Sequence, residues 1–382
     1  MSNLNNVLVM GAGLVGLPIA RDLVHNNEFD VTIADLDAER LLAAANFGLK
    51  TIKTDLLSNE DEAWFASFDI FVNAVPGSIG FKVLDKVIAY GKPIIDIAFY
   101  AEDPQLLQQK AKDSGSCVLC DMGVAPGMSH LLSGYAASKL KKVERIAIYV
   151  GGLPIVRTKP WEYKAVFSPA DVIEEYTRPA RLIEHGEIVI KEALSDLEML
   201  EFDGIGTLEA FNSDGLRSLL TNLEADEMVE KTLRYPGHAQ MISLLKDSGF
   251  LNTETVSLKN QNIVPLEMTQ KLLFDQWKLN PGEADITVMR ILVEGTHNDG
   301  RKLRHSFELF DQYDMQTQTH SMARTTGYAA TAALRLIASG QFNTAGIHLP
   351  EQIGKQASHV AFIREKLAER AIYFEENIQE IG

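Results

Sequence analysis

The sequence predicts an α/β protein, a doubly wound parallel sheet with an inserted mixed α/β second domain, and three observations carry that prediction. Short β-branched runs alternate with helical periodicity over the first ~130 residues, the pattern of a parallel sheet covered on both faces. A glycine-rich turn separates the first of these runs from the first helix. After Gly127 the runs lengthen and polar, Gly-containing loops replace the regular helices, which is the texture of a mixed or antiparallel sheet.

Taken in order, residues 7–10 read as a strand, 14–24 as a helix with apolar positions at three-to-four spacing, and 31–34 as the second strand. The unit then repeats: helix 38–47, strand 49–53, helix 60–68, strand 70–74, a Pro76-Gly77 break with a helix to Tyr90, strand 93–97, a helix from Pro104, and strand 117–120. Such a set completes a dinucleotide-binding domain of the Rossmann type over 1–127. The second domain, 128–325, opens with a helix at 129–140 and continues through strands at 145–150, 188–191, 285–294, 303–311 and 316–322. Segment 326–382 supplies helices at 327–339 and 357–370 that return to the first domain.

Composition narrows the function classes. A chain of 382 residues with 46% hydrophobic content buries a large core and divides into domains. Its net charge of −16 repels phosphate backbones and anionic lipid, which argues against nucleic-acid and membrane-surface partners. The amino-terminus lacks a basic region before its apolar run, and no stretch reaches the ~18 apolar residues of a membrane span, so a reducing cytoplasm is the expected compartment. The two cysteines, Cys117 and Cys120, sit in an apolar run where extended geometry points them to opposite faces. They read as small buried hydrophobes, and the scattered histidines offer no metal-ligand spacing, so no metal is expected.

Gly11-Ala12-Gly13-Leu14-Val15-Gly16 is a GxGxxG placed directly after a strand and opening a helix. Gly11 permits the tight turn, Gly13 lets backbone approach a pyrophosphate, and Gly16 allows close helix-to-strand packing. The free N–H groups of the helix start, carried by Leu14, Val15 and their neighbours, hold a diphosphate without any lysine. Asp35 ends the second strand, where its carboxylate accepts both hydroxyls of an adenosine ribose. A 2′-phosphate would face that like charge, a repulsion of ~1 kcal/mol in water and several-fold more at a protein surface, so the expected cofactor is NAD, with NADP disfavoured. Asn73, ending the fourth strand, is the candidate for the nicotinamide ribose or amide.

Beyond this loop the segments Asp121-Met122-Gly123-Val124-Ala125-Pro126-Gly127-Met128, Tyr149-Val150-Gly151-Gly152-Leu153-Pro154, Tyr163-Lys164-Ala165-Val166-Phe167-Ser168, Leu208-Glu209-Ala210-Phe211, Thr232-Leu233-Arg234-Tyr235-Pro236-Gly237-His238-Ala239 and Met322-Ala323-Arg324-Thr325-Thr326 resemble the saccharopine dehydrogenase and lysine 6-dehydrogenase family. The resemblance implies a Rossmann domain with a mixed domain inserted before the last helices, and at least a homodimer. It also implies oxidation at a carbon bearing an amine, with hydride passing to the nicotinamide and the imine then hydrolysed. Ala125 and Val150 stand where fungal-type saccharopine reductases carry Asp and Cys. Lysine 6-dehydrogenases are similar to this chain at both places, whereas Leu233-Arg234-Tyr235 and residues 244–250 resemble the saccharopine reductases. Free L-lysine, oxidised at its ε-carbon to the semialdehyde, is therefore the expected donor, with saccharopine as the alternative. A condensing reductase of polyamine synthesis and a non-catalytic NAD-binding regulator are the readings from other classes.

Amine oxidation needs a base to take a proton before hydride leaves. His130, Asp121 and Tyr100 are the catalytic candidates, because each follows a strand end where an α/β sheet meets its substrate. Each also has a structural reading: a hydrogen-bonded histidine, an acid holding the Gly123 loop, a packed ring. Glu162 and Tyr163, after Pro160, are candidates for the substrate amine and a lid. Arg234, His238 and Arg324 are candidates for its carboxylate, since an arginine fork matches a carboxylate bidentately. For these the alternatives are surface ion pairs and, for Arg324, a cap on the helix from Gly327. Arg178 and Arg181 are the arginines that a three-carboxylate substrate such as saccharopine would require.

Overall fold

The structure is a computed structural model and describes residues 5–58, 62–167, 169–259, 261–280 and 282–382. It forms two compact units, Met1–Ser138 with Ala323–Tyr373 and Lys139–Met322 with Phe374–Gly382.

The first unit is built on a seven-stranded parallel sheet of β1 (Asn6–Met10), β2 (Asp30–Asp35), β3 (Lys50–Lys53), β4 (Ile70–Asn73), β5 (Ile94–Asp96), β6 (Cys117–Leu119) and β17 (Gly346–His348), in the order β17-β6-β5-β4-β1-β2-β3. Helices on both faces explain the near-continuous apolar runs: Val7, Leu8, Val9 and Met10 are all wholly buried, as are Phe71 and Ile94. Each such side chain contributes roughly 1.5–3 kcal/mol of burial. The order reverses between β1 and β4, and ligands of open α/β sheets bind beyond the carboxyl ends of the strands at such a switch point.

The first unit extends further than the change of texture after Gly127 suggests. The helix Met128–Ala137 belongs to it, because Gly134 lies flat against the chain at Glu351, where a Cβ would stand 2.3 Å from the Glu351 carbonyl oxygen. The returning segment is fastened by a buried ion network. Arg335 pairs with Asp22 at 2.8 Å and Glu28 at 2.6 Å, and Arg370 reaches the other oxygen of Asp22 at 2.5 Å.

The second unit holds a nine-stranded mixed sheet. Its main path comprises β7 (Lys142–Pro154), β10 (Glu198–Phe202), β11 (Gly206–Asn212), β12 (Glu227–Arg234), β15 (Asp285–Thr296), β16 (Lys302–Gln312) and β18 (Glu375–Glu380), in the order β10-β11-β12-β7-β15-β16-β18. Beside β12 lies β8 (Ala180–Glu184), which pairs with β9 (Glu187–Lys191). β12 and β7 run parallel while β7, β15 and β16 are antiparallel, so the sheet is mixed as expected. A separate hairpin joins β13 (Val256–Leu258) and β14 (Gln261–Ile263).

One expected strand is absent. Residues 316–322 form no strand: the Asp314 carboxylate gathers the Gln316 and Thr317 N–H groups into a turn, and a helix follows at Ser321–Ala338. That helix starts six residues before Gly327 because Asp285, across the fold, accepts from the Ser321 N–H at 2.8 Å and the Met322 N–H at 3.1 Å. Arg324 accordingly lies inside the helix and does not cap it. Replacing Asp285 with alanine removes this cap and is expected to lower stability by about 2 kcal/mol, the upper range for lost caps, read from the urea midpoint. A midpoint unchanged from the parent would show the cap to be dispensable.

Candidate functional site

The phosphate loop has the shape its glycines predict. Gly11 has φ +103° and a Cβ there would sit 2.5 Å from the Ala74 carbonyl oxygen; a Cβ at Gly16 would sit 2.0 Å from the Gly11 carbonyl oxygen. At Gly13 the nearest atom is Arg40 Nη1 at 4.0 Å, so this glycine faces open space. Two glycines are thus explained by packing, and the third only by something that comes from outside. Leu14 is exposed and Val15 half-buried, and the helix Gly16–Val24 begins with no side-chain cap and no acid in its first turn. Its positive end is left for an anion.

Asp35 is fixed onto this loop. Its Oδ2 accepts from the Ala12 N–H at 2.6 Å and its Oδ1 from the Asp37 N–H at 2.8 Å. Asp37 in turn caps the helix Ala38–Asn46 through the Glu39 and Arg40 N–H groups. Both acids therefore hold their places before any ligand arrives. Asn73 is wholly buried, and its amide donates to the Gly80 carbonyl at 3.0 Å and to Asp96 Oδ2 at 3.1 Å. Its amide hydrogens are committed to the inner sheet, and its Oδ1 is buried with no partner among the described residues.

Asp96 is the group that sequence reasoning missed. It ends β5, is 1% exposed, and accepts from the Ala98 N–H at 2.7 Å and the Tyr100 hydroxyl at 3.3 Å. Burial pushes its carboxyl up to about 7, despite the hydrogen bonds from Ala98 and Asn73 that pull it down; the charge of Asp121 raises it further. Its signal in the sequence is a carboxylate inside the apolar run Pro93-Ile94-Ile95-Asp96-Ile97-Ala98. The Tyr100 ring packs edge-on against Phe81, and its hydroxyl lies 3.8 Å from Cys120 Sγ. Asp121 follows β6 with φ +53° and is buried, and His130 is wholly buried with Nδ1 2.9 Å from the Ser129 hydroxyl. Asp96, Tyr100 and Asp121 thus gather at the carboxyl edge of the sheet. Arg324, also of this unit, is buried and donates to the Arg370 carbonyl. Among the described residues no group of His, Cys, Asp and Glu is placed to hold a metal ion.

In the second unit Tyr163, Arg234 and His238 form one buried cluster. Arg234 Nε–H donates to the Tyr176 hydroxyl at 3.3 Å, and that hydroxyl stands 2.9 Å from His238 Nε2. His238 Nδ1 lies 3.0 Å from the Trp161 carbonyl, which can only accept, so Nδ1 carries the proton and Nε2 accepts from Tyr176. Burial and the Arg234 charge hold His238 down to about 3, so it is neutral. Arg234 also reaches Glu175 at 2.6 Å and lies 4.5 Å from the Tyr163 ring. Glu162 stands apart, paired with Arg157 at 2.5 Å. Arg181 is bound through Nε and Nη2 to Asp214, each at 2.9 Å, and Arg178 pairs with Glu174 at 3.1 Å.

Two family models match the chain in succession. Residues 7–119 match the saccharopine dehydrogenase NADP binding domain and residues 123–372 the saccharopine dehydrogenase C-terminal domain. A saccharopine dehydrogenase (NADP+, L-glutamate-forming) of Pyricularia oryzae is 26% identical over 288 residues, 70% of this chain and 63% of that protein, so the chain spans under two thirds of its length. Carboxyaminopropylagmatine dehydrogenase of Synechocystis is 21% identical over 91% of this chain and 92% of its own. The structure of apo saccharopine dehydrogenase (L-Glu forming) from Saccharomyces cerevisiae shares the fold, with a TM-score of 0.82 over 98% of this chain and 100% of that one at 19% identity. The two models together cover most of the chain, and the second alone more than half, so the chain belongs to the saccharopine dehydrogenase family.

Proposed function

We propose that this chain is an NAD-dependent oxidoreductase acting on a CH–NH donor, and that it oxidises the ε-carbon of L-lysine to the semialdehyde through an imine. The observation that carries the reading is the nucleotide cradle: Gly13 open to solvent at a bare helix start, with Asp35 locked onto the same loop. The bound nicotinamide would supply the two-electron acceptor. The chain's own part is to bind the donor and remove its proton, because an ammonium has no lone pair to expel hydride. Asp96, held near neutrality, joins Asp121, Tyr100 and His130 as the groups available for that transfer. The donor is a small amino acid, and the setting a cytoplasmic homo-oligomer.

Lysine is favoured over saccharopine because the spare arginines are committed. A three-carboxylate ligand calls for several free cations, and Arg157, Arg178 and Arg181 are each bonded to an acid of the chain. A panel of L-lysine and saccharopine with NAD at alkaline pH, read as absorbance of NADH, tests this. Turnover of saccharopine alone would replace the donor. The likeness to carboxyaminopropylagmatine dehydrogenase over nearly the whole chain supports a second reading, an N-substituted amine joined or cleaved in polyamine metabolism. NADH consumption with a diamine and an aldehyde together would establish it, and NADH binding without turnover on any donor would mark a regulator.

The matched domain is described as NADP-binding, while Asp35 argues for NAD. The parent is expected to prefer NAD by at least ~10-fold in kcat/KM, since a phosphate beside this carboxylate adds repulsion of more than ~1 kcal/mol. Asp35→Ser combined with Leu36→Arg, at an exposed position, is expected to reverse the preference. Equal use of both cofactors by the parent would refute the assignment.

A further inference from the structure

β9 is an outermost strand of the second unit: it pairs with β8 and, among the described residues, with no other strand. Ile188 and Ile190 stand 54% and 70% exposed on one face of it. A bare apolar edge is a template for another chain, and proteins usually guard such edges with charge. The guard is present elsewhere. β3 carries Lys50 and Lys53, β10 Glu198 and Glu201, and β18 Glu375, Glu376 and Glu380, so each of these edges shows one sign of charge to a second copy of itself. By contrast β9 begins with an acid, Glu187, and ends with a base, Lys191.

The turn before β9 decides which backbone groups face outward. His185 and Gly186 join β8 to β9, both at positive φ (+54° and +82°), in a two-residue turn whose flanking residues Glu184 and Glu187 exchange hydrogen bonds. Ile183 with Ile188, and Arg181 with Ile190, are then the non-hydrogen-bonded pairs, so the N–H and C=O of Ile188 and Ile190 turn away from β8. A second β9 laid antiparallel about Val189 sets Ile188 opposite the partner's Ile190, and each such pair exchanges two hydrogen bonds. In that register Glu187 falls opposite the partner's Lys191. Registers centred on Ile188 or Ile190 also bring outward groups together, but they set Glu187 opposite the partner's Val189 or Ala193. Glu187 is exposed and has no ion pair among the described residues. Lys191 spends two of its three N–H groups on Glu184 at 2.6 Å and Asp196 at 2.8 Å, which leaves one for an acid from outside. Two chains of net charge −16 repel one another, so a copy is accepted only where the charges alternate.

We propose that β9 is a homodimer interface, on which a second copy of this chain pairs antiparallel about a two-fold axis at Val189 and joins the two mixed sheets into one. The axis makes every contact occur twice, so both ends of the strand pair are closed by an acid and a base while the isoleucines of the two copies meet on one face. This gives the homo-oligomer a surface and does not depend on which donor the chain oxidises.

The test reads the register directly. Val189 would face its own copy across a non-hydrogen-bonded pair, with Cα atoms ~4.5 Å apart and so within disulfide reach. Val189→Cys in the full chain is therefore expected to cross-link to a dimer under mild oxidation, the chain's own Cys117 and Cys120 being buried. Ile188→Cys is the control, since its copy lies diagonally across the axis at ~8 Å, beyond that reach. In sedimentation, Glu187→Lys sets like charges opposite each other at both ends and is expected to raise the dimer dissociation constant about tenfold, and Ile190→Lys to raise it at least as much, with NADH affinity unchanged as the check on folding. A parent that stays monomeric at ~100 µM overturns the proposal, whatever else pairs with the strand. So does a dimer whose dissociation constant neither lysine substitution moves, or one in which Ile188→Cys cross-links as readily as Val189→Cys.

Discussion

Alanine at Gly13 is expected to abolish most nucleotide affinity while leaving the fold as stable as the parent, and alanine at Gly16 to damage both. The contrast follows from what each added methyl meets. At Gly16 it would lie 2.0 Å from the Gly11 carbonyl oxygen, so the helix Gly16–Val24 must move away from the turn that it closes. Overpacking of this kind costs roughly 1–3 kcal/mol, and the displaced helix start no longer presents its N–H groups to a diphosphate. At Gly13 the methyl meets nothing nearer than Arg40 Nη1 at 4.0 Å, and its φ is not one that favours glycine, so the empty protein accepts it. The methyl instead occupies the path by which a pyrophosphate reaches the backbone. A loss of at least ~100-fold in NADH affinity, about 2.7 kcal/mol, is expected for Gly13→Ala with a melting temperature within a degree or two of the parent. Fluorescence titration with NADH and thermal melts of both variants decide the matter. If Gly13→Ala binds NADH like the parent, the loop is only a turn, and the oxidoreductase reading goes with it.

The first unit was legible because its strands are buried on both faces and so write themselves as apolar runs, with helical spacing between them. The elements missed in the chain were short or non-local. β17 has three residues, too few for a period, and pairs only because β6 leaves an edge beside it. The start of the helix at Ser321 is set by Asp285, a residue of a different strand whose capping bonds leave no local signature at 316–322. Asn73 shows the same limit at the site. A polar residue at a strand end reads as a ligand, but the Gly80 carbonyl on the next helix and the Asp96 carboxylate on the neighbouring strand draw its amide inward. The cluster around Arg234 was half visible: the arginine, tyrosine and histidine stood out as chemistry-bearing residues, whereas nothing in the sequence separates Glu175 from its neighbour Glu174. Only the antiparallel pairing of β11 with β12, and the packing of the helix Pro169–Thr177 near them, give it a partner.

Glu230→Gln is expected to stabilise the protein at alkaline pH and to leave it unchanged in mild acid. Glu230 sits on β12 with its carboxyl directly over Gly215, where an added Cβ would fall 1.8 Å from Oε1, and its Oε2 is buried without a partner among the described residues. Burial, then the charges of Glu175 and Asp214, push it up to about 8 against an ordinary value of 4.5, with Arg217 opposing. The folded chain therefore keeps this proton over a range in which the unfolded chain has released it. Between 4.5 and about 8 the native state binds more protons, so stability falls as pH rises, at up to ~1.4 kcal/mol per pH unit, and levels off above that window. Asp96 acts with the same sign, but its window closes at about 7, so the last unit below 8 belongs to Glu230. Glutamine keeps the shape of the protonated acid and cannot ionise. Difference profiles of urea midpoints are expected to show parent and variant matching near pH 5 and the variant ahead by roughly 3 kcal/mol at pH 8.5, a figure below the full linkage value because a buried carboxylate draws in water. Parallel profiles over the whole range would mean that the native carboxyl ionises at its ordinary pH, and hence that a cation or solvent reaches the floor of the cluster beside Glu175.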